Sequence, residues 1–183
     1  MRKTLDKLIF LATFILIKKE ITDKQMRNIL LSAALVTGSF FTASAHACPN
    51  WNLQAAEQYS GSGSYFYTPR HYNIVAGGDY SLSKCSHIRP ATDVGPGFFP
   101  DRPDFRFNVS GMAAYELHIR VVSECDAALL INTASATWYY DDDDNGNLDP
   151  RIILTNPQDG PIDIWVGTYD GAYCNARLEI ETF

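Results

Sequence analysis

Residues 138–183 read WYYDDDDNGNLDPRIILTNPQDGPIDIWVGTYDGAYCNARLEIETF, and this stretch decides the fold. Short runs rich in β-branched and aromatic residues are separated by an acidic Asn-Gly loop, a Pro-Gln-Asp-Gly turn and an Asp-Gly turn. Runs of that length bounded by such turn chemistry read as strands. Alternation gives each run a side. Ile162, Ile164 and Val166 share one face of 161–169, and Trp165 points the other way. In the last run Cys174, Ala176, Leu178 and Ile180 face in, while Asn175, Arg177, Glu179 and Glu181 face out.

The same pattern continues upstream. Phe105, Phe107 and Val109 alternate with polar residues, and Ser110-Gly111 turns the chain. Tyr115, Leu117, Ile119 and Val121 then face in, with Glu116, His118 and Arg120 out. Residues 127–131 form a continuous apolar run, as a central strand requires. Earlier, Ile74-Val75 leads into a turn at Ala76-Gly77-Gly78, after which Tyr80 and Leu82 alternate towards Cys85. Four prolines within 86–104 make that segment a long loop. Residues 48–71, rich in Gly, Ser and Tyr, read as an arm with one short strand packed on a main body of 72–183. About eight short strands and no helix of useful length predict an all-β fold, a two-sheet antiparallel β-sandwich of jelly-roll type. A C-terminal Phe also ends outer-membrane barrels, but those need strands of about ten residues and a lipid-facing band.

The N-terminal part reads as a targeting segment. Met26-Arg27-Asn28 precedes the apolar run 29–41 and two A-x-A frames, Ala43-Ser44-Ala45 and Ala45-His46-Ala47. That is the layout of a secretory signal peptide over 26–47, leaving a mature start at His46 or Cys48. A lipoprotein reading of Cys48 is weakened by Ala45, where such signals usually carry Leu. The apolar run 8–17 is too short to cross a bilayer, so residues 1–25 read as an extension ahead of the true start at Met26. Nothing in the mature part reads as a transmembrane segment. The mature chain of about 136 residues is one domain's worth.

Charge separates along the same boundary. Seven of the fifteen Lys and Arg residues but three of the twenty-one Asp and Glu precede residue 48. The remainder keeps eight basic and eighteen acidic residues, a net charge of about −10. Such a field repels nucleic-acid backbones and anionic lipid and favours divalent cations. Cys48, Cys85, Cys125 and Cys174 all follow the signal. An even count in an exported chain implies two disulfides, with three connectivities open. Pairing Cys48 with Cys85 and Cys125 with Cys174 staples the two halves separately, and we expect it.

The loop 141–149, DDDDNGNLD, carries the pattern D-x-D-x-N-G. Side-chain oxygens at alternating positions converge where Gly permits a sharp turn, and Ca²⁺ takes six to eight such oxygens. Asp141, Asp143, Asn145 and Asp149 are the candidate calcium ligands. An EF-hand is excluded, because its twelfth position would be Ile152 and its flanks are strands. The alternative is a solvated acidic hairpin with Arg151 pairing one carboxylate. No Ser lies in a nucleophile elbow, the cysteines are expected to be paired, and His118 is on an outward strand face. No catalytic residue is therefore assigned. Trp138, Trp165 and Tyr169 could form a binding platform; Trp165 is expected to be covered by the aromatic arm instead.

Taken in order, Asp104-Phe-Arg-Phe, Cys125-Asp-Ala-Ala-Leu-Leu-Ile-Asn, Trp138-Tyr-Tyr-Asp-Asp-Asp, Asp149-Pro-Arg-Ile and Asp163-Ile-Trp-Val-Gly-Thr-Tyr resemble the bacterial pre-peptidase C-terminal domain over 72–183. The resemblance implies a small β-sandwich, usually appended to secreted peptidases. The whole mature chain is similar to small stand-alone exported proteins of this type, some of which carry a serine-peptidase label. This chain lacks a peptidase domain, so no catalytic residue carries over.

These readings converge on an exported protein, periplasmic or secreted, non-catalytic, with a binding or accessory role and a calcium-stabilised loop. Its partner would be an extracellular or periplasmic protein or a glycan. A serine-type, peptidase-associated hydrolase and a surface assembly protein are the alternatives.

Overall fold

The computed structural model describes residues 48–183; the segments read above as a signal peptide and an N-terminal extension fall outside the described residues. No helix among the described residues is long and apolar enough to cross a membrane. Eleven strands are present: β1 (Glu57–Ser62), β2 (Arg70–Ala76), β3 (Tyr80–Ser81), β4 (Phe98–Phe99), β5 (Phe105–Ser110), β6 (Glu116–Ser123), β7 (Ala127–Asn132), β8 (Trp138–Asp141), β9 (Arg151–Thr155), β10 (Gly160–Thr168) and β11 (Cys174–Thr182). The expected count of about eight falls short: β4 lies inside the segment 86–104 read as a loop, and the alternation from Tyr80 yields only the two-residue β3 before a turn at Leu82–Lys84. A helical turn, α1 (Gly63–Phe66), follows β1, and Ser62 caps it by accepting the Tyr65 N–H.

The strands form two sheets, as expected. The larger has seven, with β10 at its centre between β5 and β7; β1 lies beyond β5, β8 beyond β7, and β4 with β3 continue the edge. The smaller runs β2-β11-β6-β9. The antiparallel expectation needs one correction. β1 runs parallel to β5, Glu57 opposite Phe105 through Ser62 opposite Ser110. Parallel neighbours need a crossover connection. Here the chain supplies it by passing through β2 of the other sheet before returning as β5.

Between the sheets lies the main core. Phe105, Phe107, Leu129, Ile131, Ile162, Ile164 and Val166 from the large sheet meet Leu117, Ile119, Val121, Ile152, Leu154, Leu178 and Ile180 from the small one. Alternation predicts the inward positions of β5, β6, β10 and β11 among these, whereas Leu129 and Ile131 come from a continuous apolar run and Ile152 and Leu154 are given no side by it. The 48–71 segment is more deeply built in than an arm. Phe66 is fully buried, its ring edge-on to Phe107 at 6.0 Å, and Tyr59 stacks on Phe107 at 5.5 Å. Side chains of that size bury about 150–250 Å² each and dominate core energetics.

A second core lies on the outer side of the large sheet. Trp165 and Trp138, with Ala128, Leu130 and Tyr140, are packed under Leu82, Cys85, Ile88 and Phe99. Trp165 is fully buried, as expected, but the segment 82–99 covers it, not the arm. Gly78 allows part of this. A Cβ there would stand 2.0 Å from the Phe99 carbonyl carbon, so only glycine lets the two backbones approach. Both disulfides join as expected, Cys48 to Cys85 and Cys125 to Cys174. The first ties the N-terminal residues to the covering segment.

Candidate functional site

The acidic loop connects β8 of the large sheet to β9 of the small one, so it closes one end of the sandwich. Gly146, Asn147 and Leu148 all take positive φ, at 78°, 56° and 61°. The chain doubles back there: the Asn145 N–H donates to the Asp149 carbonyl at 2.8 Å, and the Asp149 N–H to the Gly146 carbonyl at 3.0 Å.

Three of the four candidate ligands serve as struts. The Asp141 carboxylate accepts backbone N–H groups from Asp144 at 3.1 Å and Arg151 at 2.7 Å. Asp149 accepts the Ser123 N–H at 2.9 Å and its hydroxyl at 2.7 Å. The Asn145 amide donates to the Val121 carbonyl at 3.1 Å. Asp143 is exposed. Arg151 reaches the loop through its backbone, and none of the ion pairs among the described residues involves it.

The carboxylates that do converge are Asp93, Asp141 and Asp144, whose oxygens lie within 4.8 Å of one another. Asp141 is shared with the predicted set; Asp143, Asn145 and Asp149 are not in the group. Asp93 comes from the 86–104 loop, far away in sequence. Thr92 fastens that loop along β8: its hydroxyl donates to the Tyr140 carbonyl at 2.7 Å and accepts the Tyr140 N–H at 2.9 Å. The Ala91 N–H donates to the Trp138 carbonyl at 2.8 Å.

Electrostatics at this end are one-sided. Burial pushes the Asp141 carboxyl up to about 6, against the two N–H donors, with Asp144 and Asp142 adding to the rise. Asp142 is raised by burial and then by Asp143, Asp126 and Asp93. Asp126 is raised by burial, Asp170 and Asp143. Like charges this close favour a proton or a bound cation.

The aromatic residues divide. Trp138 and Trp165 meet at 5.2 Å, tilted by 37°, inside the second core, whereas Tyr169 is exposed, so the three form no common platform. His118 faces outward as predicted, with Nε2 2.6 Å from Glu116 and its ring 4.4 Å from that of Phe183.

No protein-family model and no curated protein matches the chain. Among solved structures it is similar to a periplasmic inhibitor of g-type lysozyme from Aeromonas hydrophila, at 9% identity, covering 70% of this chain and 100% of that one, with a TM-score of 0.38. It is also similar to the pre-peptidase C-terminal domain of a collagenase from Bacillus anthracis, at 15% identity, covering 71% and 100%, again with a TM-score of 0.38.

Proposed function

We propose that the protein is an exported, non-catalytic binding or accessory module whose acidic end is organised by a divalent cation, with calcium the ion that suits it. The observation that carries this reading is the convergence of Asp93, Asp141 and Asp144, brought together from two distant loops. Asp141 is 2% exposed, and burying a carboxylate among its own kind is unfavourable without a compensating cation. An all-oxygen donor set is the chemistry calcium prefers. Asn145 and Asp149 then keep the loop in shape around the ion rather than ligating it. The two disulfides support an oxidising compartment, periplasmic or extracellular. Resemblance of residues 72–183 to a pre-peptidase C-terminal domain supports an accessory part beside other exported proteins.

Thermal unfolding of the oxidised protein in millimolar calcium and in chelator tests the cation. A ligand that binds only the native state adds about 2.7 kcal/mol at a hundred times Kd, a rise of several degrees. Asp93→Asn with Asp144→Asn, both exposed positions, abolishes the rise and leaves Tm in chelator nearly unchanged. No calcium-dependent rise in the parent protein leaves a solvated acidic loop and overturns the cation. A fluorophosphonate probe tests the other half: labelling that a single Ser substitution removes overturns the non-catalytic reading.

A further inference from the structure

Beside the second core, at the opposite edge of β8 from the acidic loop's start, residues 48–53 lie over the outer face of the large sheet. They are held there on several sides. Cys48 is bonded to Cys85, the Asn50 N–H donates to the Asp101 carbonyl at 2.7 Å, and Arg106 Nη2 donates to the Trp51 carbonyl at 2.6 Å. Arg106 is itself fixed by a two-point pair with Asp163, at 2.6 and 2.8 Å. The segment encloses a groove of about 500 Å³, walled by Trp51, Asn52, Leu53, His87, Asp101 and Trp138. That volume falls in the range of about 300–1,000 Å³ typical of small-ligand sites.

The groove is chemically mixed. Trp51 is 43% exposed and Trp138 is 9% exposed, so one indole stands free at the rim while the other sits in the wall. An indole left this open on a tethered segment is not being used for core packing. Asn52 and His87, both exposed, offer planar polar groups beside it, and Asp101 adds a carboxylate. One further donor lies close by. Arg106, Asp163, Asn132 and Trp138 are side-by-side partners across β5, β10, β7 and β8, and therefore share the outer face. Asn132 is 3% exposed and its Nδ2 has no hydrogen-bond partner among the described residues. Asn132 stands in the row behind Trp138 and is not itself part of the groove's wall.

We infer that this groove is a carbohydrate site, which deepens the binding role proposed above and rests on it, and that its ligand is a neutral oligosaccharide of equatorially substituted pyranoses. The C–H groups on the faces of such rings carry partial positive charge and lie flat on an indole, whose face is negative. Their hydroxyls exchange hydrogen bonds with planar amide and imidazole groups and donate to a carboxylate. A net charge of about −10 beyond residue 47, with Asp101 in the groove, disfavours sulfated or uronic-acid glycans. The same ring geometry occurs in β-glucans and in chitin-type chains, which differ in the N-acetyl group.

The test is tryptophan fluorescence of the oxidised protein, expressed from its full sequence, titrated with cellotetraose and separately with chitotetraose. A saturable change with either sugar supports the site; the sugar that binds tighter identifies the source. Trp51→Ala weakens that binding at least tenfold, Trp51→Phe weakens it less, and both keep the parent Tm because the side chain is exposed. Val75→Ser, at an exposed position of β2, leaves it unchanged. Absence of any saturable change up to millimolar sugar, or unaltered binding by Trp51→Ala, overturns the inference. Failure here, with no fluorophosphonate labelling, removes the sugar and leaves the binding-module reading standing; labelling sinks that reading whatever the sugar result.

Discussion

The two sheets treat their outward faces in opposite ways. On the small sheet that face is water-exposed and tied together by charge. Arg120 reaches Glu179 at 2.7 Å and Glu181 at 3.2 Å, and Arg177 reaches Glu179 at 2.7 Å. On the large sheet the outward face of β7, β8 and β10 is packed under residues 82–99 with indoles and phenyl rings, and among the described residues the Arg106–Asp163 pair is the ion pair on that face. A strand with one wet face alternates; a strand with two dry faces does not. The small-sheet strand β6 accordingly alternates residue by residue, while every residue of β7 is buried.

Removing an indole from the second core gives the largest expected effect. Trp165→Ala leaves a cavity where the cover meets the sheet and costs about 3–5 kcal/mol in urea unfolding. A cost near zero would mean the cover does not pack as described. On the small sheet, Glu179→Gln weakens the charge lattice and costs about 1–3 kcal/mol at pH 7. Burial pulls the Glu179 carboxyl up, but hydrogen bonds from Arg120 and Arg177 outweigh it and hold it below the usual range. Its contribution is present above the unfolded value and fades as pH falls through the folded one. The loss on substitution should therefore shrink in acid.

Asp104 sharpens the contrast by titrating in the other sense. Desolvation pushes its carboxyl up to about 7, against the Val166 N–H at 2.8 Å and Arg102, while the residue keeps partial solvent access. The folded state then holds the proton more tightly than the unfolded chain does. Stability from this group falls as pH rises from about 4 to about 7. Asp104→Asn keeps an acceptor for Val166 and gains about 1 kcal/mol at pH 8 relative to pH 5, read from paired denaturation curves. A pH-independent effect would contradict the burial. Smallest of all is Ile153→Ser on the exposed face of β9, expected within about 0.5 kcal/mol of the parent.

Much of the inner core was legible because alternation is a local signal. Phe105, Phe107 and Val109, or Leu117, Ile119 and Val121, declare their side within a single strand. The pairing of four cysteines was legible from the same economy, each half closing on itself. What escaped is set by contacts distant in sequence. Asp93 carries no periodic mark, and the bonds of Ala91 and Thr92 to β8 bring it to Asp141. The parallel placement of β1 beside β5 depends on where β2 goes. The cover over Trp165 comes from a proline-rich loop whose path no local rule dictates.

The order of strands has a kinetic consequence. β10 sits between β5 and β7, and β11 between β2 and β6, yet these two come last in the chain. Neither sheet can join its halves until residues 160–182 are available. A chain threaded N-terminus first, as the proposed export demands, stays open throughout its passage and condenses only at the end. Such late, non-local closure makes folding slow and leaves apolar strands unprotected until then. The acidic surplus, spread along the waiting chain, is what keeps neighbouring copies apart in that interval.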